Sequence, residues 1–166
     1  MEQSTKSRRV DYIDVTLATY NALGYPPYRW VDNAGAVPWT LPKKPLSESR
    51  LALVASGGIY LAGQIAFHFK DDTTYRRIPR DAPTRDLRAT HFAYDLKAAR
   101  SDPNVVFPID VLRELVEEGV VGELAPQALT FMGGIYSSRR VRDELAPALT
   151  ADLLAQAVDL ALLVPV

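Results

Sequence analysis

The sequence predicts an α/β domain built around a parallel sheet. Three short apolar runs carry that expectation: residues 50–61 (RLALVASGGIYL), 128–135 (ALTFMGGI) and 159–166 (DLALLVPV). Each has the length of a strand, and helical patterns lie between the runs. Near-continuous apolar composition suits strands covered on both faces, as parallel strands are. Strands alternating with helices then imply βαβ units. The predicted arrangement is a three-layer, flavodoxin- or Rossmann-like domain over residues 50–166, preceded by an N-terminal helix and a proline-rich arm in residues 1–49.

Val10–Leu23 opens the pattern. Val10, Ile13, Leu17 and Tyr20 recur at helical spacing, and Gly24 follows as a C-terminal cap. From Gly24 to Pro45 the chain carries five prolines and both tryptophans, Trp30 and Trp39. Prolines at that density forbid a continuous helix or central strand, so this segment is an extended arm whose tryptophans pack on the domain. Arg50–Leu61 is the first strand, ending in Gly57-Gly58. Gln64–Arg100 is polar, rich in Arg and Asp, without clean periodicity, and loops of that length tend to be functional. Pro108–Glu118 (PIDVLRELVEE) is a helix with Pro108 near its first turn, Gly119 at its end and a buried stripe of Leu112, Leu115 and Val116. Val120–Val121 begins a short strand. Ala128–Ile135 is a buried strand ending in paired glycines. Ser137 or Ser138 caps a short helix through Leu145. Thr150 caps another, with Leu153, Leu154, Ala157 and Val158 facing inward, and Asp159–Val166 is the last, buried strand.

Composition narrows the function classes. The 166 residues carry a formal net charge of -1, 48% hydrophobic and 23% charged residues, as in ordinary soluble domains. That balance gives no pull toward nucleic acid or anionic membrane. No apolar run reaches the ~18 residues of a membrane span, and Met1–Arg9 is too polar for a signal peptide, so the expected location is cytoplasmic. The sequence has no cysteine, which excludes disulfides, thiolate metal sites and a thiol nucleophile within it. Its two histidines, His68 and His91, are too few for a His-rich metal site, and no metal is expected.

Four constellations carry possible chemistry. Ser56-Gly57-Gly58 follows a strand, where backbone amides can approach an anion. It is neither a Walker loop nor a dinucleotide fingerprint, and a plain turn is the commoner reading. Arg76, Arg77, Arg80, Arg85 and Arg88 fall within thirteen residues, a density suited to carboxylate or phosphate. Interleaved Asp71, Asp72, Asp81 and Asp86 favour a solvated, salt-bridged face instead. His91, Tyr94 and Asp95 offer an imidazole, a phenol and a carboxylate in five residues, a set able to move protons, although a lone His near an Asp is more often structural. Asp102-Pro103-Asn104 is a turn able to aim side chains into a cleft. Leu112–Leu124 also has the helix-to-strand look of a winged helix, but near-zero charge and the lack of a preceding helix-turn-helix pair count against DNA.

The order of these pieces resembles the B-subunit family of glycine, sarcosine, betaine and D-proline reductases. The matching blocks are SGG (Ser56–Gly58), TYRRIP (Thr74–Pro79), THFAYD (Thr90–Asp95), DPNVVFPIDVLRELVEEGVVGELAP (Asp102–Pro126) and TFMGGI (Thr130–Ile135). They lie within the run from Leu51 to Pro165 that carries the resemblance, about two-thirds of the chain. The resemblance implies a component of a reductase acting on a small amino acid or amine, working with partner reductase subunits in an oligomer. It further implies a selenol or thiol nucleophile in a U-x-x-C or C-x-x-C motif (U being selenocysteine) after a strand end, and a partner's pyruvoyl group that holds the substrate. No cofactor is expected in this chain itself. Leu162–Val166 matches the approach to that motif, and the sequence given stops there. The expectation is therefore an incomplete redox site, from a UGA codon read as stop, a truncation, or a natural short protein. On this reading Ser56, Gly57, Gly58, Tyr75, Arg76, Tyr94 and Asn104 line the substrate cleft. His91 with Asp95 transfers a proton, and Arg76 contacts a carboxylate. The alternative is a non-catalytic binding or assembly module that uses the Arg-rich stretch and the arm as an interface.

Overall fold

The computed structural model describes residues 12–26, 31, 34–36 and 40–166. The chain divides into two compact units, residues 1–38 and 39–166. The first has one described element, helix α1 (Tyr12–Ala22). It ends as the sequence predicts: Gly24 takes φ +76°, and the amides of Gly24 and Tyr25 bond back to the carbonyls of Asn21 and Tyr20 at 3.1 and 3.0 Å. Leu17 and Tyr20, two of the residues at helical spacing, are exposed. Val10 and the side chain of Ile13 lie outside the described residues, as do Trp30 and Trp39 with the expected packing of the arm. Among the described residues, no helix is long and apolar enough to cross a membrane.

The second unit runs β1 (Arg50–Ala55), β2 (Ile59–Leu61), β3 (Arg76–Pro79), β4 (Leu87–Ala89), α2 (Leu96–Ser101) and α3 (Ile109–Glu117). It continues through β5 (Glu123–Leu124), β6 (Gln127–Thr130), α4 (Ser138–Arg140), α5 (Ala146–Ala155) and β7 (Leu160–Val164). β1 is the hub. Along one edge it pairs in parallel with β7, from Leu51–Leu160 through Ala55–Val164. Along the other it meets two parallel segments in succession, β5 at Arg50–Leu51 and β6 at Val54–Ala55. Ala125 and Pro126 bulge between them. Pro126 has no amide to give the ladder, and its carbonyl accepts the Arg80 amide at 3.0 Å.

The α/β class is the one the sequence predicts, but the sheet is mixed. β3 runs antiparallel to β6, and β2 and β4 form a separate antiparallel pair. This departs from the uniform parallel sheet of a flavodoxin- or Rossmann-like domain. The cause lies in residues 64–100, read as irregular. They contribute β3 and β4, too short at four and three residues to show any period, and the six-residue helix α2.

Other boundaries move for local reasons. Val120 and Val121 do not begin a strand: both amides bond to the Leu115 carbonyl, at 2.9 and 3.1 Å, closing the end of α3, and pairing starts at Glu123. Ser137 caps α4, its hydroxyl accepting the Arg140 amide at 3.3 Å. Thr150 is no cap. It sits inside α5 and donates back to the Ala146 carbonyl at 2.8 Å, which lets a threonine stay within a helix. A π turn, Val141–Leu145, joins α4 to α5 just before Pro147. The widened turn relieves the clash a proline ring makes with the preceding turn. Leu154 and Ala157, expected to face inward, are exposed. β7 is not buried either: Leu162 and Leu163 are 38% and 68% exposed, because the strand is a sheet edge paired with β1 alone among the described residues.

The core gathers on one face of β1. Leu51, Leu53 and Ala55 meet Ile59, Ile78, Leu87, Phe107, Ile109 and Leu112. α5 is pinned by a buried carboxylate. Asp152 accepts hydrogen bonds from Tyr75 Oη (2.9 Å), Arg77 Nε (2.5 Å) and Gln156 Nε2 (3.0 Å), and Gln156 Oε1 in turn accepts the Gln127 amide of β6 at 2.8 Å. Burial pushes the Asp152 carboxyl upward, but bonds from Arg77, Tyr75 and Gln156 outweigh it and hold the group below its ordinary 3.8. Asp152→Ala removes the shared acceptor of Tyr75, Arg77 and Gln156 and is expected to cost about 1–3 kcal/mol in urea unfolding at neutral pH. A depressed folded pKa contributes stability above the unfolded value and loses it as pH falls through the folded one. The gap between wild type and variant should therefore narrow below pH 3.8.

Candidate functional site

The parallel strands β1, β6 and β7 deliver their carboxyl ends to one place, the position where open α/β sheets bind ligands. Ser56, the residue after β1, is held on three sides. Its amide donates to the Val164 carbonyl (3.0 Å), its Oγ accepts the Val166 amide (2.9 Å), and its carbonyl accepts the Gly133 amide (2.9 Å). Gly58 donates its amide to the Phe131 carbonyl at 2.9 Å, and Gly57 bridges Met132. The Gly58 amide is thus committed to the protein and cannot hold an anion. The glycines serve close packing, since a Cβ on Gly133 would stand 3.1 Å from Ser56 Cβ.

His91 lies against this turn and is only 7% exposed. Its Nδ1 accepts the Ala93 amide at 3.0 Å, so the neutral ring carries its proton on Nε2. Nε2 is buried without a hydrogen-bond partner among the described residues, as is Thr130 Oγ1. Tyr94 tilts against the imidazole with ring centres 4.8 Å apart, and Phe92 stacks at 5.8 Å. Tyr94 Oη donates to the Gly57 carbonyl at 2.8 Å, and burial pushes this phenol above its usual range. Phe92 reaches over Gly134 to stack on Tyr136 at 6.2 Å. Beside the Ser56 turn is an apolar cavity of about 360 Å³, lined by Val54, Ser56, Phe131, Val141, Leu163 and Val166 among others. Val141 comes from the π turn.

Burial alone pushes the His91 imidazole below its ordinary 6.5. A depressed histidine takes up its proton in the unfolded chain first, so folded stability should fall as pH drops below 6.5 until the native ring titrates. Nitrogen NMR is expected to show the Nε2–H tautomer at pH 7 and a titration midpoint below 6.5.

Five of the nine residues read from sequence meet here: Ser56, Gly57, Gly58, His91 and Tyr94. The other four do not. Asp95 makes no hydrogen bond to His91; its carboxylate caps α2 by accepting the Lys97 amide at 2.9 Å. Tyr75 is tied to Asp152. Arg76 spends its guanidinium on the Ile65 carbonyl (2.8 Å), Thr74 Oγ1 (2.8 Å) and the face of Phe67, 4.4 Å from the ring centre. Asn104 bonds Asp102 and Asp110, away from the strand ends. Sequence reasoning missed Phe92, Met132 and Tyr136 as members of this cluster. The signal was present: two strands each ending in a glycine pair must bring those pairs together if they are neighbours.

A family model described as glycine/sarcosine/betaine reductase selenoprotein B matches residues 12–165. The D-proline reductase subunit gamma of Acetoanaerobium sticklandii is 34% identical over 125 residues, covering 75% of this chain and 52% of that protein. The glycine reductase complex component B subunit gamma of Symbiobacterium thermophilum is 36% identical over 94 residues, covering 53% of this chain and 22% of its own length. The sarcosine reductase complex component B subunit beta of Peptoclostridium acidaminophilum is 34% identical over 91 residues, with 49% and 20% covered. The chain thus spans about half the length of the first relative and about a fifth of the others. No solved structure matches it.

Proposed function

The chain belongs to the glycine/sarcosine/betaine reductase selenoprotein B family, and from that premise we propose that it is a subunit of a reductase that cleaves a C–N bond of a small amino acid or amine. D-proline is the first candidate substrate, since the D-proline reductase subunit aligns with three-quarters of this chain at 34% identity. The observation that carries the reading is the convergence of the SGG, HFAY and FMGG blocks on the carboxyl ends of β1, β6 and β7. These are the stretches that resemble the family, and the fold brings them to one surface.

Such a reduction requires a selenol or thiol, and a partner's pyruvoyl group supplies an electrophilic carbonyl when bound. The 166 residues hold no cysteine, so the nucleophile comes from outside them. The donor set suits that chemistry. The cavity is mostly apolar, no charged side chain lines it, and Ser56 Oγ is its side-chain hydroxyl. Outside the cavity lining, His91 holds its proton at Nε2 beside the turn, and Tyr94 fixes the Gly57 carbonyl and so the course of the turn.

Coexpression with the remaining subunits of a D-proline reductase complex tests the proposal. The expected result is a stoichiometric complex by native mass spectrometry and D-proline-dependent oxidation of a dithiol. Failure to associate with any reductase subunit sinks the reading. A complex that forms, but turns over equally well without this chain, supports the assembly module instead. Reading the frame after Val166 for a U-x-x-C or C-x-x-C motif tests whether the nucleophile is encoded downstream.

A further inference from the structure

A second recess opens between β4 and the α2–Asn104 segment, with a volume of about 660 Å³. That is within the range of about 300–1,000 Å³ usual for small-molecule sites. Thr90 lines it one residue before His91, but the strand-end site described above does not use it.

The recess is cationic by construction. Arg85, Arg88 and Arg100 all line it, and none of the three pairs with a carboxylate among the described residues. Arg88 is oriented by the chain itself, its Nη1 donating to the Arg85 and Leu87 carbonyls at 2.9 and 2.8 Å. Two carboxylates also line the recess, and the nearer chemistry of each is already satisfied. Asp110 accepts from Thr84 Oγ1 at 2.8 and 2.7 Å, from Asn104 Nδ2 at 2.9 Å and from Arg113 Nη1 at 2.6 Å. Arg113 balances its charge. Asn104 Oδ1 accepts the Asp110 amide at 3.0 Å, which closes a rigid floor. Asp102 keeps one uncompensated charge, with Oδ1 accepting both nitrogens of Asn104 at 2.9 Å. Three guanidiniums against Asp102 leave two positive charges in excess.

We propose that this recess binds a small doubly charged oxyanion, a phosphate monoester or a dicarboxylate, on Arg85, Arg88 and Arg100. Guanidinium forks match the paired oxygens of either group, and the tyrosine ring of Tyr60 and the pyrrolidine of Pro103 give the wall against which an organic remainder rests. Asn104 and Asp110 hold the floor rather than the ligand. This gives Asn104 a role that the sequence placed in the strand-end cleft.

The test is titration of the full chain, by calorimetry and amide NMR, with inorganic phosphate, glycerol phosphate and succinate against a chloride background. Saturable binding that shifts the amides of residues 84–90 and 100–104 is expected for at least one of the phosphates or for succinate. Which one binds identifies the source of the oxyanion. Arg85→Gln combined with Arg100→Gln should weaken that binding at least tenfold. Arg142→Gln, which removes an exposed arginine paired with Asp143, should leave it unchanged. Both replaced residues are exposed, so thermal unfolding of the double variant should match wild type. The proposal is overturned if no oxyanion binds saturably, if the shifts fall elsewhere, or if the double variant and the Arg142 control weaken binding alike.

Discussion

Gly58→Ala is expected to destabilise the domain by about 3 kcal/mol or more, close to the whole stability of a marginal fold. A Cβ built on Gly58 stands 1.9 Å from the Thr90 carbonyl oxygen and 2.9 Å from its carbon. Both obstacles are backbone, and neither can rotate away. Gly58 also sits at φ +68°, where an alanine is strained by roughly 1–2 kcal/mol before any contact is counted. Relief requires parting the two chains, which breaks the bond from the Thr90 amide to the Gly58 carbonyl at 3.0 Å and moves His91 with it. Gly134→Ala makes a useful contrast. Its Cβ would meet the Phe92 ring at 1.9 Å, an obstacle that swings aside, so the loss should be smaller and should show as a change in aromatic packing. Urea unfolding followed by circular dichroism separates the two. A loss below about 1 kcal/mol at Gly58 would mean the turn opens without cost.

Phe107→Ala is expected to cost about 3–5 kcal/mol, the range for truncating a fully buried aromatic side chain. Phe107 is completely buried in the cluster that contains Leu53, Ile109 and Leu112. Its amide also closes the Asp102-Pro103 turn by donating to the Pro103 carbonyl at 2.8 Å. Phe107→Leu keeps most of the apolar volume and should lose less than half as much. A melting temperature for Phe107→Ala near that of wild type would show that the ring is not the centre of the core.

Much of the frame was legible because it repeats a simple pattern. β1 and β6 are apolar runs stopped by glycine pairs, and α3 carries Leu112, Leu115 and Val116 at helical spacing with Gly119 as its end. β3 and β4 were not legible. Strands of four and three residues hold too few positions for a period, and the adjacent Arg76 and Arg77 of β3 and the Arg88 of β4 make the segment read as a polar loop around the buried Ile78, Leu87 and Ala89. β7 looked buried from its composition, yet burial depends on neighbours that lie elsewhere in the chain, and Leu163 is exposed.

The site was half legible for the same reason. Ser56, Gly57, Gly58, His91 and Tyr94 come together because the blocks containing them end neighbouring strands. Proximity in sequence misled at Asp95: four residues after His91 it meets the first turn of a helix, and capping α2 is the bond within its reach. Arg76 misled by chemistry, since a guanidinium suited to a substrate carboxylate is equally suited to backbone carbonyls and to the face of Phe67.

Hydrogen exchange of the chain, alone and within a reconstituted reductase complex, tests most directly whether the strand-end surface is where the partner acts. Assembly should slow exchange at residues 56–58, 91–94 and 131–137 and leave α3 unchanged. Protection confined to α3 or to the outer face of α5, with those three stretches exchanging as they do in the free chain, would place the partner elsewhere and contradict the assignment.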